Sequence, residues 1–196
     1  MARPIDKKNR EEIRDKIMKT ARQVFCSKGF INVTMTNLLE AADMSRGGFY
    51  FYYKSVEEVF QDTVRNRKKR NFDKIRRSIE HNPDFFELLD YYFKRQKIRL
   101  LNMNNSLLRA LYEYLFTHTE ESDIAFRNEQ KDNILKTVHA ILLLGIRQKA
   151  ISSKNMDAVA EHMMYTIEGL NVMALFHGLT EQTIDQQFEI LKNMMK

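Results

Sequence analysis

Two prolines and six glycines in 196 residues leave little to interrupt a helix. Proline removes a backbone donor, and glycine costs about 1 kcal/mol relative to alanine inside a helix, so a chain this sparing of both keeps helical period over long stretches. Ile13, Ile17, Ala21, Val24 and Phe25 recur at steps of three and four and mark a first helix, with Gly29 where it would end. Thr36 is placed to cap a short second helix, NLLEAAD, and Ser45 a third, RGGFYFYY. Ser55, followed by Glu57 and Glu58, opens a long fourth, with acidic residues where the helix dipole favours them. A fifth starts at Pro83 and Asp84, a sixth covers Asn104 to His118, and a seventh runs from Ser122 or Glu121 toward Lys149. After ISSKN an eighth extends from Met156 to His177 and stops at Gly178; a ninth follows from Thr180. The expected fold is all-α, about nine helices, with a small three-helix domain over residues 1–54 and a larger helical domain over 55–196.

Several functions are disfavoured. No apolar run approaches the ~18 residues that cross a bilayer, and MARPIDKKNREEIRDK lacks the apolar stretch of a secretory signal, so no membrane partner and a cytoplasmic location are expected. Cys26 stands alone, without a disulfide or metal-binding mate; a buried, inert thiol is its ordinary role and a redox switch the rarer one. Five histidines at 81, 118, 139, 162 and 177 form no HxxxH or HxH pair, so no metal and no cofactor are expected. No nucleophile, base and orienting group stand out together, which argues against an enzyme. A helical adaptor for other proteins stays open but leaves one segment without a reason.

That segment is SRGGFYFYYKS, residues 45–55, with five aromatic rings and two cations around adjacent glycines. Two short helices joined by the tight turn DMS form a helix-turn-helix pattern, over about residues 34–53. A recognition helix presses on its own core with one face and on a groove with the other. Phe49 and Tyr53, four apart, suit the core face; an aromatic stripe at this spacing is most often core. Arg46, Tyr50, Tyr52 and Lys54 can then reach outward. Gly47 and Gly48 carry no side chain to hold the helix off DNA, and they lack the GxGxxG or GK[ST] setting of a nucleotide loop. Charge agrees: residues 1–56 hold eleven Lys and Arg against six Asp and Glu, while residues 81–196 hold thirteen against fifteen. A second basic run, RNRKKRNFDKIRR, lies roughly 15–30 Å beyond Ser55 along the fourth helix and reads as a solvated face.

The stretch KGFINVTMTNLLEAADMSRGGFYFYYKSVEEVF, within about Arg10 to Phe60, resembles the amino-terminal domain of the TetR family of transcriptional regulators. The resemblance covers roughly a quarter of the chain. It implies an all-helical homodimer that binds double-stranded DNA at a palindromic operator, usually as a repressor released by a small-molecule inducer. Family contacts to DNA fall on Thr36, Ser45, Arg46, Gly47, Tyr50, Tyr52 and Lys54, with Gly48 beside them and Phe51 able to touch a thymine methyl. Arg46 is the candidate for bidentate reading of guanine. The two tyrosines suit phosphates, and the two hydroxyls sit at helix amino termini, where anions bind. Gly48 stands where many relatives have threonine, and Val56 where many have lysine.

The family also implies dimerisation through the last two helices, and the broad stripe Ile184, Phe188, Leu191 and Met195, with Ile190 and Met194 beside it, fits that role. Helices five to eight would enclose a small, largely apolar ligand, for which eleven methionines suit an adaptable lining. Tyr92, Arg95, Tyr112, Glu113, Phe116 and Phe176 are the candidate lining residues, each equally able to serve as ordinary core or surface. Glu113 among aromatic rings would suit an apolar cation.

Overall fold

A computed structural model describes residues 7–152 and 154–195; Pro4 and the first residues of the amino terminus, Ser153 in the ISSKN break, and the side chain of Ser122 lie outside the described parts. Among the described residues the chain is helical throughout: α1 (Lys7–Lys28), α2 (Met35–Ala42), α3 (Arg46–Tyr52), α4 (Val56–Glu80), α5 (Phe85–Leu101), α6 (Leu107–Thr117), α7 (Glu121–Arg147), α8 (Met156–Leu175) and α9 (Glu181–Asn193), with a 3-10 turn at Met103–Asn105. The all-α class expected from the sparse prolines and glycines is what the chain adopts. No helix is long and apolar enough to cross a membrane, and no group of three or more metal-ligating side chains occurs, among the described residues.

Local chemistry accounts for most helix ends. Asp84, Ser106 and Thr180 each accept a hydrogen bond from a backbone N–H three residues on, at 3.1–3.2 Å, and so start α5, α6 and α9. Ser106 displaces the expected start at Asn104, whose neighbours are spent in the 3-10 turn. α8 closes before Gly178, through His177 at φ +56°. The Gly178 N–H then bonds back to the Met173 carbonyl at 3.1 Å.

The chain divides into two compact units. The first comprises the residues up to Arg67 together with Asn104–Thr119; the second comprises Lys68–Met103 and the residues from Glu120 onward. α4 belongs to both, and α6 joins the first unit although its neighbours in sequence belong to the second. The division thus differs from a boundary at residue 54, because α6 packs on α1 and the first turns of α4 complete the first core.

That core is aromatic. Ile17, Ala21 and Phe25 of α1 are buried with Phe30, Phe60 and Tyr114. Phe25 meets Phe60 edge-on at 4.9 Å, Phe30 lies 4.9 Å from both Phe60 and Tyr114, and Phe60 stacks on Tyr114 at 5.2 Å. Gln61 donates to the Tyr114 hydroxyl at 2.7 Å, so the one polar end in this knot is satisfied. The second unit packs α7 on α8 and α5 against α7, α8 and α9. Val138, Ile141, Leu142, Ala160, Met163, Ile167 and Ile184 are buried there, and Phe93 stacks on Phe188 at 4.6 Å.

Candidate nucleic-acid interface

The helix-turn-helix is built by three caps. Thr34, and not Thr36 as the sequence suggested, caps α2: its hydroxyl accepts from the Asn37 N–H at 3.3 Å while the Asn37 side chain accepts from the Thr34 N–H at 3.2 Å. The reciprocal pair needs a partner three residues on that can bond back, and from Thr36 that position is Leu39. Thr36 is left exposed in the first turn of α2. α2 ends at Asp43, whose φ of +50° turns the chain into DMS. Ser45 then caps α3, accepting from the Gly48 N–H at 3.2 Å, as expected. Ser55 opens α4 through the Glu58 N–H at 3.3 Å, and Glu58 accepts in return from the Lys54 N–H at 2.7 Å.

α3 has a fixed side and a free side. Phe49 is fully buried and Tyr53 nearly so, their rings 6.1 Å apart. The Tyr53 hydroxyl donates to Asp62 at 3.2 Å, Arg14 pairs with the same carboxylate, and the Arg14 guanidinium stands 5.4 Å from the Tyr53 ring centre. Burial pushes the Tyr53 phenol up to about 12, so it remains a donor. These contacts fasten α3 to α1 and α4, so the outward side chains are presented from a rigid base.

On the free side, Ser45, Arg46, Gly47, Phe51 and Lys54 are exposed, while Tyr50 and Tyr52 are half-buried. The Arg46 guanidinium stands 5.6 Å from the Tyr50 ring centre, and the Lys54 ammonium bonds the Tyr50 carbonyl. Phe51 is 51% exposed and carries the Arg10 guanidinium of α1 at 4.7 Å from its ring centre. Arg10 therefore belongs to this surface; a basic residue near the start of α1 was part of the charge count but nothing in its spacing tied it to Phe51. The two glycines differ. A Cβ on Gly47 would meet no atom within 4 Å, whereas one on Gly48 would press on the Ser45 hydroxyl at 3.1 Å. Gly48 protects the cap, and Gly47 leaves open space on the exposed side.

The turn into α2 is held from α6. Glu113 accepts from the Phe30 N–H at 2.5 Å and the Ile31 N–H at 3.2 Å, and pairs with Arg109 at 3.3 Å. A Cβ on Gly29, at φ +79°, would collide with that carboxylate. Burial pushes the Cys26 thiol up, with Arg22 opposing, which does not favour a reactive thiolate.

The six candidate lining residues fall in both units. Tyr112, Glu113 and Phe116 belong to the first, where Tyr112 is buried, Phe116 is exposed and Glu113 holds the turn just described. Tyr92, Arg95 and Phe176 belong to the second. Tyr92 is buried, Arg95 stacks on exposed Tyr91, and Phe176 is 72% exposed at the end of α8. An open groove between α5 and α9 is crossed by Lys97 with Glu181 and Asp185, and by Lys192 with Asp90, all at 2.7 Å.

Residues 17–63 match the family described as bacterial regulatory proteins, tetR family. The chain is 28% identical over 136 residues to the HTH-type transcriptional regulator YfiR of Bacillus subtilis, an alignment covering 69% of this chain and 62% of YfiR. It is 23% identical over 123 residues to IcaR, the HTH-type negative transcriptional regulator of the biofilm operon icaADBC in Staphylococcus epidermidis, covering 60% of this chain and 66% of IcaR. The chain thus spans just under two thirds of the length of these curated relatives. Its fold is similar to that of a cysteine-substituted CifR, a TetR family transcriptional regulator complexed with 26-bp double-strand operator DNA, at a TM-score of 0.70, 16% identity and full coverage of both chains. The capped helix-turn-helix lies inside the matched segment, so residues 17–63 of this chain correspond to the domain described for the tetR family, and the chain is similar to HTH-type transcriptional regulators.

Proposed function

We propose that this regulator is a cytoplasmic repressor that binds a palindromic operator as a homodimer and leaves it when a small molecule binds the second unit. The observation that carries the reading is the two-sided α3. Its inner rings are locked by Tyr53, Asp62 and Arg14, and its outer side offers Arg46, Tyr50, Tyr52 and Lys54 around the open space at Gly47. Arg46 would read a base edge in the major groove; the tyrosines, Lys54 and the amino termini of α2 and α3 near Thr36 and Ser45 would grip phosphates. The repressor sense draws on IcaR, a negative regulator.

Dimerisation is supported by apolar exposure on the last two helices. Tyr165, Met173 and Phe176 on α8, and Ile190 and Met194 at the end of α9, are 47–72% exposed, more apolar surface than isolated side chains account for. A second copy covering these helices would bury them. Ligand binding would be transmitted along α4, the one helix common to both units, and would move the two copies of α3 away from the ~34–36 Å spacing of successive major grooves.

Selection from a random duplex pool, followed by titration of the winning sequence against salt, tests the reading. A palindrome whose affinity falls steeply with salt is expected. Arg46→Ala should relax preference at one operator position and cost about 1–3 kcal/mol, while Tyr50→Phe should weaken all sequences alike. A folded dimer that enriches no sequence, or two mutants that bind like the parent, would overturn the assignment of α3.

A further inference from the structure

The interior of the second unit is not uniformly apolar. Four helices bring polar side chains to one place: Lys68 from α4, Tyr92, Gln96 and Arg99 from α5, Gln130 from α7, and Glu168 and Asn171 from α8. Tyr92, Gln96, Gln130 and Asn171 are all at least nine-tenths buried. The contacts show that they converge. Lys68 Nζ donates to the backbone carbonyl of Gln130 at 3.4 Å, and the Gln130 side-chain amide donates to the Phe126 carbonyl at 3.1 Å; Arg99 Nη2 donates to Asn171 Oδ1 at 3.3 Å, and Asn171 Nδ2 to Glu168 Oε1 at 3.2 Å. Gln96 lies beside Tyr92, and the charges of Arg99 and Glu168 act on both Tyr92 and Lys68.

Part of this network closes on itself and part does not. Arg99, Asn171 and Glu168 join a cation to a carboxylate through an amide. Left over, among the described residues, are Lys68, whose one hydrogen bond is long, and the side-chain carbonyls of Gln96 and Gln130, buried acceptors that meet no protein donor. Each unmet buried acceptor is destabilising, and a desolvated ammonium with weak pairing adds to this. Desolvation is the largest influence on Lys68 and holds its ammonium down at about 8; Glu168 and, more weakly, Glu129 oppose that, and Arg99 reinforces it. A half-satisfied polar network inside a core is unstable unless something completes it.

The leftover groups define what would complete it. Lys68 needs an anion, and the two glutamine carbonyls need an O–H or N–H. A ligand cation would face Lys68 and Arg99; a neutral molecule would leave the ammonium unpaired. We propose that this cluster is the effector site, and that the effector is a small organic acid that also bears a hydroxyl or N–H, its carboxylate held by Lys68 and its donor by Gln96 and Gln130. The proposal rests on the ligand-responsive reading above and gives it a chemistry. The core of the same unit is otherwise apolar, with Leu89, Phe93, Met163, Met164 and Ile167 buried, which suits an acid with an apolar body.

The test uses the full chain and a panel of acids (lactate, mandelate, salicylate, N-acetylglycine), each beside its neutral primary amide. Thermal shift and calorimetry are run on the parent, Lys68→Met and Gln96→Leu. At least one acid should stabilise the parent while its amide does not, and its affinity should fall about tenfold or more in Lys68→Met, the loss expected for a charge-assisted bond. Lys68→Met keeps the volume and removes the charge, and the thermal shift without ligand shows directly that it is folded. Binding confined to the amides, no binding by any acid, or equal acid affinity in Lys68→Met would overturn the proposal. Operator affinity without ligand is measured alongside. Intact operator binding with no acid binding refutes the effector chemistry alone, whereas no operator binding refutes the regulator reading beneath it.

Discussion

The two units solve opposite problems with the same secondary structure. In the first, the polar atoms that fasten it find partners, some of them at the surface: Tyr53 and Arg14 on Asp62, Tyr114 with Gln61, and the turn N–H groups of Phe30 and Ile31 on Glu113. Its rings pack edge and face within about 5 Å of each other. In the second, buried acceptors on Gln96 and Gln130 meet no donor among the described residues, and a lysine is held where its charge is poorly solvated. A saturated aromatic core has one low-energy arrangement, which suits a unit that must present α3 in a fixed orientation. An interior with unmet polar groups has free energy still to gain, which is what the proposed ligand-responsive unit would require.

If the first unit is the rigid one, damage to it should be costly. Phe60 is fully buried and touches Phe25, Phe30 and Tyr114, so Phe60→Ala should lose about 3–5 kcal/mol, read from denaturant midpoints, and operator binding with it. A loss under about 1 kcal/mol would mean that the ring cluster is not the keystone of that unit. Gly29→Ala follows in size. It combines a left-handed backbone position with a Cβ that displaces the Glu113 carboxylate, and should cost about 2–3 kcal/mol. Glu113→Ala added to Gly29→Ala removes the collision and leaves the backbone strain and the loss of the acceptor for the Phe30 and Ile31 N–H groups, so the double mutant should lose less than the sum of the two singles. Strict additivity would show that the carboxylate does not meet the turn.

The first unit was far more legible in sequence than the second, for a physical reason. Caps, turns and a recognition helix depend on neighbours in sequence: Ser45 bonds Gly48 and Ser55 bonds Glu58, both three residues away. Even the error at Thr36 was local, a shift of two residues to Thr34, whose partner Asn37 could have been recognised as a capping pair. The long-range pieces left no such trace. Glu113 lies 83 residues from the Phe30 N–H it accepts from, and it was read as a ligand residue because it stands among aromatics on α6. Lys68 stands in the basic run that reads as a solvated face, and Arg99 carries no signal of its own in sequence. Only packing brings them together with Gln130, Glu168 and Asn171, and no periodicity announces a polar cluster drawn from four helices.

The smallest expected effect bears most directly on the second unit. The Lys68 ammonium is held down at about 8, against 10.5 ordinarily, so across the interval between those values the unfolded chain binds a proton that the folded chain has released. Stability therefore rises with pH there, and the cost of burying the charge is fully present below it. Between pH 7 and pH 9 the relief amounts to about 1 kcal/mol. Glu168 on α8 and Glu129 on α7 temper the cost and Arg99 on α5 adds to it. Tyr53 and Tyr92, pushed up to about 12 by burial, act in the opposite sense only above pH 10, and Cys26, also raised, erodes stability from about pH 9 upward. Subtracting Lys68→Met cancels these common contributions. The variant should be the more stable protein at pH 7, and its lead over the parent should shrink by about 1 kcal/mol by pH 9. A lead that stays constant with pH would place the ammonium in water and erase the contrast between a saturated first unit and an unsatisfied second one.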